Sequence, residues 1–444
     1  MRMQFGTSSY ERAKGDLPEL PVVNMIAEDA PSEETGLILQ SRPPLHDAGS
    51  DMGTGTVDAL FRRDGVLSGN LFGVAGGNLY MGTTLLGAVG TGTASIAGNE
   101  TGILVTAGAG LWFYDGITLA SVVFPDSADV SKVFAGASRF WAIRANTGKV
   151  YWTGALDTVF DALNFATAES IPDKLLDALW LDDVAVLFGK ESVEFWPNTG
   201  DPDLPITPLE GRVFEQGVRA TGCATIWNAT FAWVGNDHVV YLNGQEPQPI
   251  SNPGLNAKIA ASVSCRLFAL TIDGKEHICL RLDEETHVFA GRWSRFETLA
   301  DNWSARCYAD GVMGGANGKI YTWGSDNSEL GSTFERRFRG GFPLNSGGLT
   351  VSNIVMRCNV GQTTYLTGDY VEPTIEMRVS RDGGKTWGAW KAKSLGAEGD
   401  YRQRVQWRSL GMASHPGFLA EWRVTDPVDF RVSDILINEK YGGR

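Results

Sequence analysis

Apolar and polar residues alternate along most of the chain with the period of two that β-strands require. Residues 184–200, VAVLFGKESVEFWPNTG, contain an apolar strand, a polar turn and a second strand that ends at a turn glycine. Residues 231–244, FAWVGNDHVVYLNG, repeat this arrangement around Gly235. Such units predict β-hairpins, so the fold class is predicted to be all-β.

The hairpins belong to a loose repeat between residues 57 and 331. In each unit an aromatic residue is followed shortly by a turn glycine, and the glycines lie on average about 40 residues apart, the length of a four-stranded propeller blade. The pairs are Tyr80 and Gly82, Tyr114 and Gly116, Tyr151 and Gly154, Phe195 and Gly200, Tyr241 and Gly244, Phe289 and Gly291, and Tyr321 and Gly324. The repeat predicts a β-propeller of six or seven blades at residues 57–332, with a pair of β-sandwiches as the alternative.

The segments on either side of this repeat have different patterns. Residues 1–56 are rich in proline and end in the string AGSDMGTGT. They predict an extended N-terminal arm without a core of its own, which lies across another domain or a neighbouring subunit. Residues 333–444 contain five or more alternating segments and predict a C-terminal β-sandwich-like module.

Composition agrees with many short strands joined by tight turns, because 54 residues are glycine and 10% are aromatic. No apolar run approaches 18 residues, so no membrane-spanning segment is expected. The first residues lack the apolar core of a signal peptide, so export by that route is not expected. The five cysteines and five histidines show no metal-binding spacing, and neither a metal nor another cofactor is expected.

Charge is distributed unevenly along the chain. The net charge is −14, which argues against a protein that grips nucleic-acid phosphates. From Thr333 onward there are 16 Lys and Arg against 12 Asp and Glu, a net of +4, so the remainder carries −18. An acidic body joined to a mildly basic module suggests two surfaces with different partners, with ordinary solvated surface as the alternative.

A complete Asp-box, S-x-D-x-G-x-T-W, occupies residues 380–387. Its members are Ser380, Asp382, Gly384, Thr386 and Trp387. A short Asp can bond backbone N–H groups across a turn, glycine supplies positive φ, and the Trp covers the hairpin. The box occurs in sialidases and glycan-binding propellers, so a glycosidase is one interpretation. The chain has one box and no F-R-I-P-like element for a sialidase arginine triad, so no catalytic site is expected.

Arg402, Arg404 and Arg408 mostly alternate with Val405 and Trp407, which predicts a strand with one basic and one apolar face. The basic face is a candidate docking site for a partner ring. A second group, Arg336, Arg337 and Arg339, is the most basic patch of the chain and lies at the predicted domain boundary. It predicts an inter-subunit or inter-domain contact, with DNA contact as the alternative.

The string YRQRVQWRSLG at residues 401–411 resembles the R-x-x-W-x-x-x-G pattern of the packaged-DNA stabilisation proteins of short-tailed bacteriophages (podoviruses), the tail hub or nozzle proteins. The string PVVNM at residues 21–25 is similar to the P-V-N-M element of that family. Residues 179–200 are similar to one of its blades, with an F-G-x-x-x-x-E-x-F/W core. The similarity spans nearly the whole chain.

This resemblance implies a structural virion protein that is made in the host cytoplasm and assembles into a hexameric ring of the viral tail. The ring lies below the portal and its adaptor ring, retains the packaged DNA, and lets double-stranded DNA pass without specific binding during genome ejection. Tail spike, fibre or needle proteins are further implied partners. The alternative function is a receptor- or glycan-binding propeller of the tail, which differs from a hub in its oligomeric state.

Overall fold

The computed structural model describes residues 2–6, 8–9, 19–33, 36–108, 110–168, 173–344, 347–362 and 370–439. Residues 10–18 of the predicted arm and residues 440–444 of the predicted C-terminal module lie outside these ranges. The described chain consists largely of β-strands. It also contains an α-helix at Pro253–Ala261 and short 3-10 helices at Leu67–Gly69, Pro125–Ser127 and Ala316–Gly318.

Seven sets of four antiparallel strands form seven propeller blades within the described residues. In chain order the blades are Val57–Phe61, Phe72–Ala75, Asn78–Met81 and Thr84–Ala88 (blade 1); Ala94–Asn99, Gly102–Ala107, Leu111–Tyr114 and Leu119–Ser121 (blade 2); Val130–Gly136, Arg139–Arg144, Lys149–Thr153 and Phe160–Thr167 (blade 3); Leu175–Leu181, Val184–Gly189, Val193–Pro197 and Val213–Phe214 (blade 4); Ala224–Trp227, Thr230–Val234, Val240–Leu242 and Gln248–Pro249 (blade 5); Cys265–Ile272, Lys275–Leu282, Thr286–Phe289 and Trp293–Thr298 (blade 6); and Cys307–Ala309, Val312–Gly314, Ile320–Trp323 and Leu45–Asp47 (blade 7). The predicted propeller is confirmed, with the higher of the two blade numbers.

The aromatic residues of the sequence repeat have one structural role. Each of the seven lies in the third strand of its blade, and none is more than 9% exposed. A buried aromatic removes a large apolar area from water, and the glycine after it lets the chain turn toward the outer strand. The repeat therefore marks the third strand of every blade.

The blades close into a circle around a central channel. The first strand of each blade contacts the first strand of the next, and the first strand of blade 7 contacts that of blade 1. Blade 7 takes its outer strand, Leu45–Asp47, from the segment that precedes blade 1. Leu45 is fully buried in this pairing. The propeller is thus closed by pairing two distant parts of the chain.

The C-terminal module is a two-layer β-sandwich, as predicted. One layer has the order Met25–Asp29, Leu37–Ser41, Arg431–Ile437, Leu349–Cys358 and Val405–Ala413, and the other contains Arg336–Pro343, Gly417–Val424, Thr374–Ser380 and Lys391–Ser394. Trp407 of the first layer and Trp422 of the second are each at most 1% exposed and belong to one apolar core. Burial of these large rings between the layers holds the sandwich together.

The N-terminal segment connects the two domains. Its strand Val22–Val23 lies between Trp293–Thr298 of blade 6 and Arg336–Pro343 of the sandwich, so that one eleven-stranded sheet runs through both. The short strand Gln4–Phe5 also pairs with Arg336–Pro343, and Asp301–Asn302 extends blade 6. The predicted arm thus supplies strands to the sandwich and to the propeller. The division of the chain at residues 56 and 332 stays a prediction.

A buried ion pair fixes the segment against blade 7. The Arg42 Nη2 to Glu329 Oε1 distance is 2.7 Å, and both side chains are 0% exposed. Asn24 Oδ1 accepts a further hydrogen bond from Arg42 Nε at 2.9 Å, and the guanidinium lies 4.9 Å from the ring centre of Phe334. A buried charge without a partner costs several kcal/mol, so this contact strongly favours the docked position of the segment.

Candidate functional site

The Asp-box forms the turn that follows the strand Thr374–Ser380. Asp382 Oδ1 accepts hydrogen bonds from the Ser380 hydroxyl at 2.7 Å and the Thr386 amide at 3.0 Å, and Oδ2 accepts one from the Thr386 hydroxyl at 2.6 Å. Ser380 Oγ accepts the amide of Gly384, whose φ is 94°, at 2.8 Å. Hydrogen bonds to the ionised form hold the pKa of Asp382 well below its usual range. Both oxygens of the Asp382 carboxylate thus accept hydrogen bonds from residues of the turn, and they stabilise the turn.

The Trp of the box lies on charged groups instead of an apolar face. The Trp387 ring centre is 5.0 Å from the Cζ of Arg339 and 4.9 Å from that of Arg378. Trp390 continues the arrangement, with Arg378 at 4.6 Å and Arg423 at 4.2 Å. Indole and guanidinium groups therefore alternate in a column on the outer face of the second layer, where cation–π attraction holds them.

Carboxylates neutralise this column from within the sheet. Glu421, which is fully buried, pairs with Arg339 Nε at 2.7 Å and also with Arg378. Arg423 Nε lies 2.6 Å from Glu376 Oε2. Because each of these guanidinium groups has a carboxylate partner, the column stiffens the outer face and adds little free positive charge.

Strand alternation splits the predicted basic patch at the domain boundary. Arg336 and Phe338 face inward and are 0% and 1% exposed, whereas Arg337 and Arg339 face the outer side. The Arg336 guanidinium lies 4.7 Å from the ring centre of Phe334, and burial lowers its pKa to about 10. The three arginines therefore do not form one surface patch. The alternation with Phe338 is the sequence signal that separates them.

The second predicted group lies at the edge of the first layer, along the strand Val405–Ala413. Arg408 is exposed on this edge strand and Arg404 just before it, while the first residue of the strand and Trp407 are each 1% exposed. Arg402 is exposed in the preceding turn. The structure therefore brings the three arginines to one edge of the sandwich.

Local contacts leave this edge accessible. Arg404 Nη2 pairs with Glu439 Oε2 at 3.0 Å, and the two side chains keep 42% and 34% of their exposure. Arg408 Nη2 donates to Gln406 Oε1 at 3.2 Å. Ser409 has a φ of 57° at a shift in strand register, a β-bulge. Exposed charge together with a bulge protects an edge strand from adding a foreign strand, so contacts here use side chains.

Two lysines that the sequence interpretation missed extend this edge. Lys391 and Lys393 are exposed on Lys391–Ser394, the edge strand of the second layer. The Trp407 indole N–H donates to the Lys391 carbonyl at 2.9 Å, so the two edge strands lie side by side. The K-A-K spacing after the Asp-box is the signal that points to them. We call the exposed set of Lys391, Lys393, Arg402, Arg404 and Arg408 the basic rim.

Bulky side chains of the innermost strands line the propeller channel. A cavity of about 340 Å³ lies between these strands, and its lining includes Leu60, Ile96, Trp180 and Phe268. Asp177, which is fully buried, links blades 3 and 4 through Lys132 Nζ at 2.7 Å. A cavity of this size suits a small molecule, not a double helix whose major groove alone is about 12 Å wide.

Within the described ranges, no group of three or more His, Cys, Asp or Glu side chains is placed to hold a metal ion. The same residues include no helix of the length and apolarity that crossing a membrane requires.

Comparison with known proteins identifies the family. Residues 2–309 match the family model described as bacteriophage P22 Gp10, beta-propeller, and residues 337–439 match the model described as bacteriophage P22 Gp10, beta-sandwich. No curated protein sequence matches the chain.

Solved structures match the chain at low identity and low TM-score. The Cps50 (Swd1) propeller domain of Myceliophteria thermophila is 9% identical with a TM-score of 0.41, covering 64% of this chain and 100% of that one. YCF48 from Cyanidioschyzon merolae is 12% identical with a TM-score of 0.39, covering 61% and 96%. An exo-beta-1,3-galactanase from Phanerochaete chrysosporium is 9% identical with a TM-score of 0.31, covering 79% and 96%.

The two family models together follow the order of domains in the structure, propeller first and sandwich second. The chain therefore belongs to the bacteriophage P22 Gp10 family, the packaged-DNA stabilisation proteins of short-tailed phages, and is a structural protein of the phage tail.

Proposed function

We propose that the chain forms the ring-shaped hub, or nozzle, of the tail. The ring, taken as a hexamer, closes the channel below the portal and adaptor ring, retains the packaged DNA and lets it pass at ejection. The observation that carries this proposal is the match of both family models, in order, over residues 2–309 and 337–439. The role is structural, without catalysis and without a cofactor.

The size of the propeller channel decides where DNA passes. A cavity of about 340 Å³ takes a small molecule and not a duplex. The conduit is therefore the hole between the copies of the ring, and each propeller is a solid part of the wall.

The charge distribution supports this arrangement. Residues before Thr333 carry a net charge of −18, so a wall built from propellers repels phosphates and leaves DNA separated from it by water and counterions. Each phosphate that a wall neutralised would add salt-dependent affinity and slow the passage of DNA. An acidic wall suits a conduit.

The basic rim is the proposed docking site for the adaptor ring or for a tail spike, fibre or needle protein. Its five cations lie on two adjacent sheet edges, and the bulge at Ser409 disfavours pairing with a foreign strand. An acidic surface on the partner would complement it, because complementary charge guides association and fixes register.

Electron microscopy of virions and of the purified protein tests the proposal. The expected result is a closed ring with a central hole on the tail axis, wide enough for duplex DNA. A protein that stays monomeric and is absent from the tail axis contradicts the hub. A position at the tips of the fibres would instead support the receptor- or glycan-binding alternative.

A further inference from the structure

Three arginines meet at one end of the propeller channel. Every blade begins with its innermost strand, so the beginnings of seven strands gather at this end. A cavity of about 390 Å³ lies there. Its polar lining consists of three arginines, three hydroxyl residues and two carboxylates, namely Arg266, Arg281, Arg306, Thr93, Thr221, Ser264, Asp58 and Asp283. We call this lining the arginine mouth.

The strand register forces two of the charges together. Arg266 and Arg281 are direct cross-strand partners in Cys265–Ile272 and Lys275–Leu282, so both side chains project from the same face. Arg306 joins them from the start of blade 7. Like charges directly opposite each other on neighbouring strands are destabilising. Burial, followed by the charges of Arg306 and Arg266, lowers the pKa of Arg281 to about 10.

Among the residues that the structure describes, none of the three makes an ion pair. Arg281 Nη1 donates to the carbonyl oxygens of Trp303 and Ala305, the second at 2.9 Å, which leaves its charge without a counterion. Asp58 is a nearby carboxylate, and burial raises its pKa against the opposing effect of Arg266 and Arg306. Asp58 is one of two carboxylates in the cavity, which has three guanidinium groups.

The other carboxylate of the cavity is already occupied. Asp283 Oδ2 accepts hydrogen bonds from the Ser262 hydroxyl at 2.9 Å and the Val263 amide at 2.6 Å. Ser264 also donates to Asp283, and these bonds lower its pKa to about 2. The lowered pKa keeps Asp283 ionised, so the cavity holds three guanidinium groups against two carboxylates and keeps an excess of positive charge.

We propose that the arginine mouth binds a phosphate group. A guanidinium carries five N–H donors in a planar fork that matches phosphate oxygens. The forks of Arg266 and Arg306, the remaining donors of Arg281 and the Thr93 hydroxyl can bind such an anion. The hydroxyls of Thr221 and Ser264 already donate to the Leu176 carbonyl and to Asp283. The cavity lies in the size range of small-ligand sites, and most of the residues that line it are polar or charged. The ligand is therefore inorganic phosphate or a small phosphate ester, and a phosphate at a DNA end is the other source of the same chemistry. This inference does not depend on the ring.

Titration calorimetry of the full-length protein with inorganic phosphate, against chloride at equal ionic strength, tests the site. Arg306→Met and Arg266→Met should each weaken binding by at least about tenfold, because each removes a charged hydrogen-bond donor. Arg431→Met, which changes an exposed arginine of the sandwich outside the cavity and outside the basic rim, is the control and should bind phosphate as the unaltered protein does. Absence of phosphate binding, or equal binding by Arg306→Met, overturns the proposal.

Thermal unfolding without phosphate separates loss of the site from loss of the fold. Removing one of three repelling charges should leave Tm unchanged or higher. Added phosphate should raise Tm of the unaltered protein and of the control more than that of Arg306→Met. Arg266→Lys is a second test in case Arg266→Met does not fold. It keeps the positive charge but loses the planar fork, so we expect it to bind phosphate more weakly than the unaltered protein does. Competition by a 5′-phosphorylated oligonucleotide assigns the ligand to a DNA end, and lack of competition assigns it to a small phosphate.

Discussion

Several buried charged side chains are neutralised by partners fixed in the fold. Glu421 is fully buried between two arginines, and Asp177 is fully buried beside Lys132. An unpaired buried charge costs far more than a paired one, so such contacts fix how the strands and blades stack. For this reason a run of basic residues, as at positions 336–339, does not by itself produce a basic surface.

The Asp-box carboxylate should stabilise its turn in a pH-dependent way. Asp382→Asn loses charge-assisted hydrogen bonds from Ser380 and Thr386, and we expect a loss of about 1 kcal/mol in the free energy of unfolding at pH 7, limited by solvent exposure. The pKa of Asp382 is lowered in the folded state, so its contribution is complete above the unfolded value of about 3.9. The contribution is lost as pH falls below that value.

Urea unfolding of both proteins at pH 7 and at pH 3 measures this difference. The gap between Asp382→Asn and the unaltered protein should be smaller at pH 3, where part of the Asp382 contribution has been lost. Asp400→Asn, which changes an exposed carboxylate of the same module, should behave as the unaltered protein at both pH values. A gap that is equal at the two pH values, or a stabilised Asp382→Asn, contradicts the role of the ionised carboxylate.

At the level of strands, local periodicity predicted the propeller well. Tyr80 and its six counterparts repeat because every blade needs a buried aromatic in its third strand. The pairing of the N-terminal segment was not predictable in the same way. Val23 pairs with Arg295, and Leu39 pairs with Val432, so the partners are separated by hundreds of residues and no local pattern records them. Register between distant strands depends on the packing of the whole domain.

Local sequence patterns also predicted the basic rim only in part. The alternation of Arg404 and Arg408 with Trp407 marked an exposed edge, whereas Lys391 and Lys393 joined that edge only through the packing of two sheets. Composition groups Arg336 with its neighbours, whereas alternation with Phe338 places it inside. Periodicity thus outperformed charge composition for locating surfaces.

Charge reversal on the edge strand tests the basic rim as a docking surface. The triple change Arg402→Glu, Arg404→Glu and Arg408→Glu should reduce the yield of complete virions by more than about tenfold, because like charges facing each other across an interface cost several kcal/mol. Plaque yield and the fraction of tails that carry the ring by electron microscopy are the measurements.

Lys385→Glu, an exposed reversal in the Asp-box turn of the same module, is the control and should assemble at the normal level. The purified triple variant should keep its unfolding temperature, since the three side chains are exposed. If the triple variant assembles virions and stacks its ring normally, the basic rim is not the docking surface.

Over the whole molecule, the N-terminal segment makes propeller and sandwich one continuous structure. The eleven-stranded sheet crosses from blade 6 to the sandwich through Val22–Val23, and the buried pair of Arg42 and Glu329 fixes the same segment to blade 7. Force on one domain is therefore shared by paired strands and buried charges of the other.

The negative charge of the residues before Thr333 predicts that the full-length protein binds duplex DNA weakly. We expect no association with duplex DNA tighter than a Kd of about 10⁻⁴ M at physiological salt, the weak limit of non-specific binding, because residues before Thr333 carry a net charge of −18. Fluorescence anisotropy at 50 and 200 mM salt measures it. The triple Arg→Glu variant is the matched control, since any weak binding that it abolishes came from the basic rim. Tight binding that falls about 10³-fold between the two salt concentrations would mean that the protein neutralises several phosphates, and a wall of that kind would hold the genome by gripping it instead of by closing the channel.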